Sequence, residues 1–247
     1  MQSNQRWFVH SKERPRVRLF CLPYAGGGAS IFRHWGRQLP WEVEVCPLFL
    51  PGREHRLREP AYTRLTPLIE ALTEALLPAL DVPFVIFGHS MGALIGFELA
   101  RSLRRNGFPM PALLCVAAFR APHLPARRAP AYNLPDAELI DLLCRLGGTP
   151  QAVLQHAELM QVVLPVLRAD FELCETYHYQ AELPLECPIA VFGGEQDTQI
   201  NVQELQAWQV HTRLPLRLSM FPGDHFFLHS QQGLLLQTLT QQLGALL

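Results

Sequence analysis

The stretch Gly88-His89-Ser90-Met91-Gly92 sets a serine between two glycines. A serine hydroxyl is a weak nucleophile until a base takes its proton, so the pattern has chemical meaning only if the chain supplies one. Imidazole suits the task, because a pKa of about 6.5 lets it take and return a proton near neutrality. Of 10 histidines, His225 is the best placed: in "MFPGDHFFLH" at 220–229 it follows the last apolar run, on a Gly-Asp turn. His229, four residues on, is the fallback. His89 adjoins the serine and cannot easily fold back onto its neighbour's Oγ, so it is expected to pack beside the strand end. The acid that orients the imidazole should follow a strand end between the two. "PIAVFGGEQDTQI" at 188–200 offers Asp197 and Glu195; Asp197, 28 residues before His225, leaves room for one helix and one strand and is preferred, with Glu195 as runner-up.

Acyl transfer through a serine also needs two donors aimed at the oxyanion. The first is the main-chain N–H of Met91, just after the nucleophile at a helix start. The second is assigned to Ala25 in "LPYAGGGAS" at 22–30, where glycines let main chain approach a ligand. This loop has neither the Walker pattern nor G-x-G-x-x-G spacing, so it is not read as a phosphate cradle.

These residues must be held by regular elements. Short apolar runs at 17–22, 43–49, 84–88, 113–119, 188–194 and 216–221 read as strands covered on both faces. Helical stretches include 65–80, 91–105 and 231–247, the second closing on Arg101, Arg104 and Arg105 before Asn106-Gly107. Alternating strands and helices imply a mostly parallel sheet with helices on both faces. Ser90 then stands on a sharp turn between strand and helix, and the order serine, acid, histidine along successive strand ends is that of an α/β-hydrolase. The alternation breaks over about 122–186, rich in Pro and Arg and then helical, which is expected to be a lid insertion within a single domain spanning 1–247.

Bulk properties narrow the class. A length of 247 residues with 49% hydrophobic and 17% charged residues suits one globular α/β domain, not a disordered chain. A net charge of -1 with dispersed arginines gives no footprint for nucleic acid. No apolar run reaches 18 residues and the N-terminal stretch lacks a signal-like apolar segment, so a cytoplasmic protein without membrane association is expected. The six cysteines are dispersed without a C-x-x-C pair and read as buried free thiols; no metal site is expected, the His225/His229 spacing lacking an acidic motif.

Several longer stretches carry a family resemblance: "LPYAGGGAS" from 22, "PGREHRLREP" from 51, "GHSMGAL" from 88, "LGGTP" from 146, "LPVLRADFELCETY" from 164, "CPIAVFGGEQD" from 187 and "GDHFFL" from 223. With them the chain resembles the type II thioesterases, free-standing α/β-hydrolases that accompany non-ribosomal peptide and polyketide synthases. The resemblance implies a substrate carried as an acyl or aminoacyl thioester on the phosphopantetheine arm of a carrier protein, the enzyme clearing aberrant groups. It places nucleophile, acid and base on Ser90, Asp197 and His225 and the oxyanion donors on Ala25 and Met91. It implies an acyl or peptidyl carrier protein as partner, no cofactor of the enzyme's own, and action as a monomer. Read from the residues alone, Arg53 and Glu54 would form an ion pair or face a partner, and Leu167, Phe171 and Cys174 form one helical face. A general carboxylesterase or an acyltransferase on small acyl substrates would use the same machinery, and a non-catalytic carrier-binding protein could retain the fold.

Overall fold

Six of the apolar runs form strands: β1 (Val17–Leu22), β2 (Val43–Pro47), β3 (Phe84–His89), β4 (Leu113–Ala117), β5 (Ile189–Gly194) and β6 (Arg217–Phe221). They make one parallel sheet in the order β2-β1-β3-β4-β5-β6, with Val17 opposite Val43 and Arg18 opposite Phe84 across β1. The computed structural model describes residues 6–247, so the first residues of the polar N-terminal stretch, 1–5, lie outside the described residues.

Strands β1 to β5 are buried on both faces and send alternate side chains into two cores, whereas β6, at the edge of the sheet, buries only Phe221 and departs from the expectation of a strand covered on both faces. Phe20, Leu22, Ile86 and Val116 point one way, against helices α1 (Leu65–Leu76) and α2 (Met91–Arg105). Leu19, Cys21, Phe87 and Phe192 point the other way, against Phe32, Trp35 and helix α8 (Gln232–Leu243). Helix α1 meets its core with Leu65, Leu68, Ile69, Leu72 and Leu76, the spacing of one helical face.

Between β4 and β5 the chain runs through α3 (Asp136–Leu146), α4 (Gln151–Leu154) and α5 (Ala157–Glu175). These helices enclose a small core of their own, built from Leu139, Leu143, Met160, Leu164, Leu167 and Phe171, with Ala25 packed against it. Helix α5 continues through Pro165. The remaining helices, α6 (Val202–Gln206) and α7 (Phe227–Ser230), are short.

Strand ends differ from the sequence reading where the backbone demands it. β2 stops at Pro47, which has no N–H to continue a ladder, and Ala118 turns the chain out of β4 with a φ of +52°. All six cysteines are free; Cys144 is exposed and Cys174 half-buried, so the expectation of buried thiols holds for the other four. Among the described residues no helix is long and apolar enough to cross a membrane, and no three His, Cys, Asp or Glu side chains cluster as a metal site.

Candidate active site

In this sheet the chain runs from β1 to β2 on one side and then crosses to β3 on the other side of β1, so the strand order reverses there. Open parallel sheets present ligand crevices beyond the carboxyl ends of strands at such a switch point. The loop after β1 and the turn after β3 meet there. Ser90 occupies the turn with φ +53° and ψ -115°, a backbone state that costs a residue with a Cβ about 1–3 kcal/mol. Its N–H donates to the Ala117 carbonyl at 2.8 Å. The flanking glycines are required by contact: a Cβ on Gly88 would lie 2.0 Å from the Gly92 oxygen, and one on Gly92 2.2 Å from the Leu22 oxygen. The second contact seats the start of α2 against the end of β1.

The residues singled out in sequence converge on this turn. His225, buried in the loop after β6, has its Nε2 3.1 Å from Ser90 Oγ and its Nδ1 2.9 Å from Asp197 Oδ2. A carboxylate only accepts, so Nδ1 carries the proton and Nε2 is left to accept from the serine hydroxyl. Asp197 is fixed on its other oxygen, where Oδ1 accepts from the N–H groups of Gln199 at 2.7 Å and Ile200 at 3.2 Å. The two runners-up are elsewhere. Glu195 is exposed and its side chain makes no hydrogen bond or ion pair among the described residues. His229 hydrogen-bonds the Tyr24 hydroxyl at 2.8 Å, and burial lowers its pKa.

His89 packs beneath the site, as its position at the strand end suggested. Its Nε2 donates to the His225 carbonyl at 2.8 Å, while Nδ1 is buried without a partner. Burial, with His225 nearby, holds its pKa well below the ordinary histidine value, so the ring is neutral and buttresses the loop of His225.

The main-chain N–H groups of Ala25 and Met91 donate to no acceptor among the described residues. Met91 directly follows Ser90, and Ala25 lies in the loop after β1, at whose start Leu22 and Pro23 meet Gly92. Beside Met91 lies a mostly apolar pocket walled by Leu50, Tyr62, Leu68 and Leu173.

Of the two readings of Arg53 and Glu54, an ion pair or a partner-facing role, the pair with each other does not form; each side chain reaches back to the loop after β1. Glu54 accepts from the N–H groups of Ala29 and Ser30 at 3.1 and 2.9 Å, and Gly28 leaves room for its carboxylate, which a Cβ would approach to 2.4 Å. Arg53 makes a two-pronged bond to Asp170 on α5, at 2.8 and 2.7 Å. Asp170 was legible only as a carboxylate on a lid helix, and its partner could not be read because 117 residues separate them. The motifs "PGRE" and "LRADF" were the available signal.

Comparison with known proteins shows the family. Residues 17–243 match the family model described as a thioesterase domain. The chain is 43% identical over 244 residues to the gramicidin S biosynthesis protein GrsT of Aneurinibacillus migulanus, covering 98% of this chain and 95% of that one. It is 45% identical over 250 residues to a Brevibacillus parabrevis protein named linear gramicidin dehydrogenase LgrE, covering 99% and 95%. Among solved structures, the type II thioesterase BorB from the borrelidin biosynthetic cluster superposes with a TM-score of 0.87 at 32% identity, covering 96% and 97%. The chain therefore belongs to the thioesterase family, hydrolases of the α/β-hydrolase fold, and its likeness to a type II thioesterase spans nearly its whole length.

Proposed function

We propose that the protein is a type II serine thioesterase that hydrolyses acyl or aminoacyl groups from the phosphopantetheine arm of carrier proteins in a non-ribosomal peptide or polyketide system. The observation that carries this reading is the unbroken relay from Asp197 through His225 to Ser90, at 2.9 and 3.1 Å. Ser90 Oγ attacks the thioester carbonyl as His225 Nε2 takes its proton; Ala25 and Met91 N–H groups bind the oxyanion. Collapse expels the pantetheine sulfur, which leaves with the proton from His225. Water, deprotonated by the same imidazole, then cleaves the acyl-Ser90 ester. The free carboxylic acid and the carrier thiol are the products. The helices between β4 and β5 would form the lid the arm must pass.

The same reading takes carrier domains as partners and has the enzyme act as a cytoplasmic monomer with no cofactor of its own. The name of LgrE raises a nicotinamide-dependent alternative. Against it, the glycine loop after β1 has Ile31 where a dinucleotide fingerprint needs its third glycine, and the Glu54 carboxylate already takes the amides of Ala29 and Ser30.

Intact-mass spectrometry of acyl-loaded carrier proteins, beside matching small thioesters and esters, tests the proposal. Release of the carrier thiol by the parent protein, faster than turnover of the small substrates and lost in Ser90→Ala, is expected. Turnover of small esters alone would make it a general esterase, and transfer of the acyl group to an added alcohol or amine in place of water would make it an acyltransferase. Carrier binding without turnover would leave a binding protein.

A further inference from the structure

The loop that presents Ala25 is gripped from two sides. The Tyr24 carbonyl accepts from Gly27 N–H at 2.9 Å, and because C=O and N–H of a trans peptide point in opposite directions, this bond aims the Ala25 N–H away from the turn. Gly26, with φ +77°, supplies the left-handed residue such a turn needs. The next peptide is fixed from outside the loop: Gly26 N–H donates to Asp170 Oδ2 at 2.7 Å. Asp170 is held by the fork of Arg53, whose Nη1 also donates to the Gly27 carbonyl at 3.1 Å. One turn earlier on α5, Leu167 lies over Gly26 so closely that a Cβ there would be 2.6 Å from its Cδ2. Asp170 and Arg53 border the same pocket as Met91, the other donor in the proposed reaction.

Stability alone is a poor account of this pair. Its side chains are only 8% and 3% exposed, and apolar residues of similar volume commonly hold a fold as well as a buried ion pair does. What apolar residues cannot do is accept the Gly26 N–H. Resting on the hydrolase reading above, we propose that Asp170 and Arg53 are positioning residues for the oxyanion hole, so that the hole is complete only while α5 is docked on the loop after β1. Movement of that helix would then switch the chemistry as well as the access.

The test uses a small acyl thioester of N-acetylcysteamine, whose turnover does not depend on carrier docking. Asp170→Asn alone would strand a buried arginine and risks unfolding, so the informative variant is Arg53→Met with Asp170→Leu, which removes both charges. Its Tm is expected to stay within a few degrees of the parent while kcat falls by about 10²- to 10³-fold, the usual effect of losing an oxyanion donor. An alkyl boronic acid, which forms a tetrahedral adduct on the serine, should lose affinity in step with kcat, and KM should change by less than about threefold. Arg53→Lys, with Asp170 intact, should recover most of the lost kcat. A double variant that keeps kcat and boronate affinity overturns the proposal, as does one that cannot fold, since the pair would then be structural. If Ser90→Ala leaves parent turnover unchanged, the hydrolase reading itself fails and the pair is not at issue.

Discussion

Asp197 and Glu195 stand two residues apart on one turn, yet only Asp197 has its carboxylate buried, 1% exposed, with three donors arranged around it. The two N–H groups on Oδ1 and the imidazole on Oδ2 fix the plane in which His225 can turn. Replacing the carboxylate by an amide would present an N–H to Nδ1 or leave it unpaired, favouring the wrong tautomer. Asp197→Asn is therefore expected to lower kcat by about 10⁴-fold with the fold intact, whereas Glu195→Gln should lie within about twofold of the parent; steady-state hydrolysis of one thioester by both variants decides it. A reversed ranking would move the acid to Glu195. At this scale the chain was readable where chemistry dictates residue type and order: serine on a glycine turn, acid and histidine after later strands. It was not readable where a residue's meaning depends on a remote partner. Arg53 and Glu54 look like neighbours able to pair, but the backbone sends one to α5 and the other to the amides at 29 and 30.

The elements are spaced by glycines whose missing Cβ is a packing dimension. Gly92 lets α2 start against the end of β1, and Gly148, in the segment after α3, gives way to the Phe226 ring, which a Cβ would approach to 2.3 Å. Through that contact the helical insertion rests on the residue following His225. Gly92→Ala should separate α2 from β1, displacing both Ser90 and the Met91 N–H; the obstacle is a backbone carbonyl at 2.2 Å, which no rotamer change relieves. Its Tm should fall steeply and turnover should be lost. Gly107→Ala is the control: nothing lies within 4 Å of its Cβ, and only its φ of +66° opposes the change, at a cost of about 1 kcal/mol. Thermal melts of the two variants should differ by many degrees, and similar melts would remove the packing argument. The central strands β3, β4 and β5 were legible because parallel strands buried on both faces need apolar runs; β1 and β2 carry Arg18 and Glu44, which pair with each other, and the edge strand β6 is covered less. The course of α5 through Pro165 was less so, since helix continuity there is supported by tertiary packing of Leu164 and Leu167 on either side.

At the scale of the whole molecule, the segment returning from α5 to β5 is fastened to α2. Two polar clusters do this. Glu182 bonds Arg104 and Arg105 at 2.6 and 2.7 Å and pairs with Arg101 at 2.7 Å; burial works against its charge, but the three arginines hold its carboxyl down at about 2. Beside them His211, at the end of the turn that follows α6, lies among Phe97, Trp208 and Tyr179, with its Nε2 2.9 Å from Nδ1 of His123 in the segment following β4. Burial first, then the charges of His123 and Arg101, bring its pKa to about 4. The native state thus keeps His211 neutral where the unfolded chain, titrating near 6.5, binds a proton. Stability on this account is fully present above about pH 6.5 and is lost as pH falls toward 4, by up to about 3 kcal/mol. His89, also held neutral by burial, adds to the loss in the same direction. Glu182 follows in a lower window, its contribution present above about 4.5 and lost as pH falls through 2. Urea midpoints should therefore drop between pH 7 and 5, before the carboxylates titrate. His211→Phe, which keeps an aromatic ring among aromatic neighbours, should leave the pH 7 midpoint nearly unchanged and make the drop distinctly smaller, the remainder belonging to His89, His123 and His229, whose pKa values burial also lowers. A drop of undiminished size in that variant would mean that His211 does not link these segments to pH, and that acid acts on the molecule elsewhere.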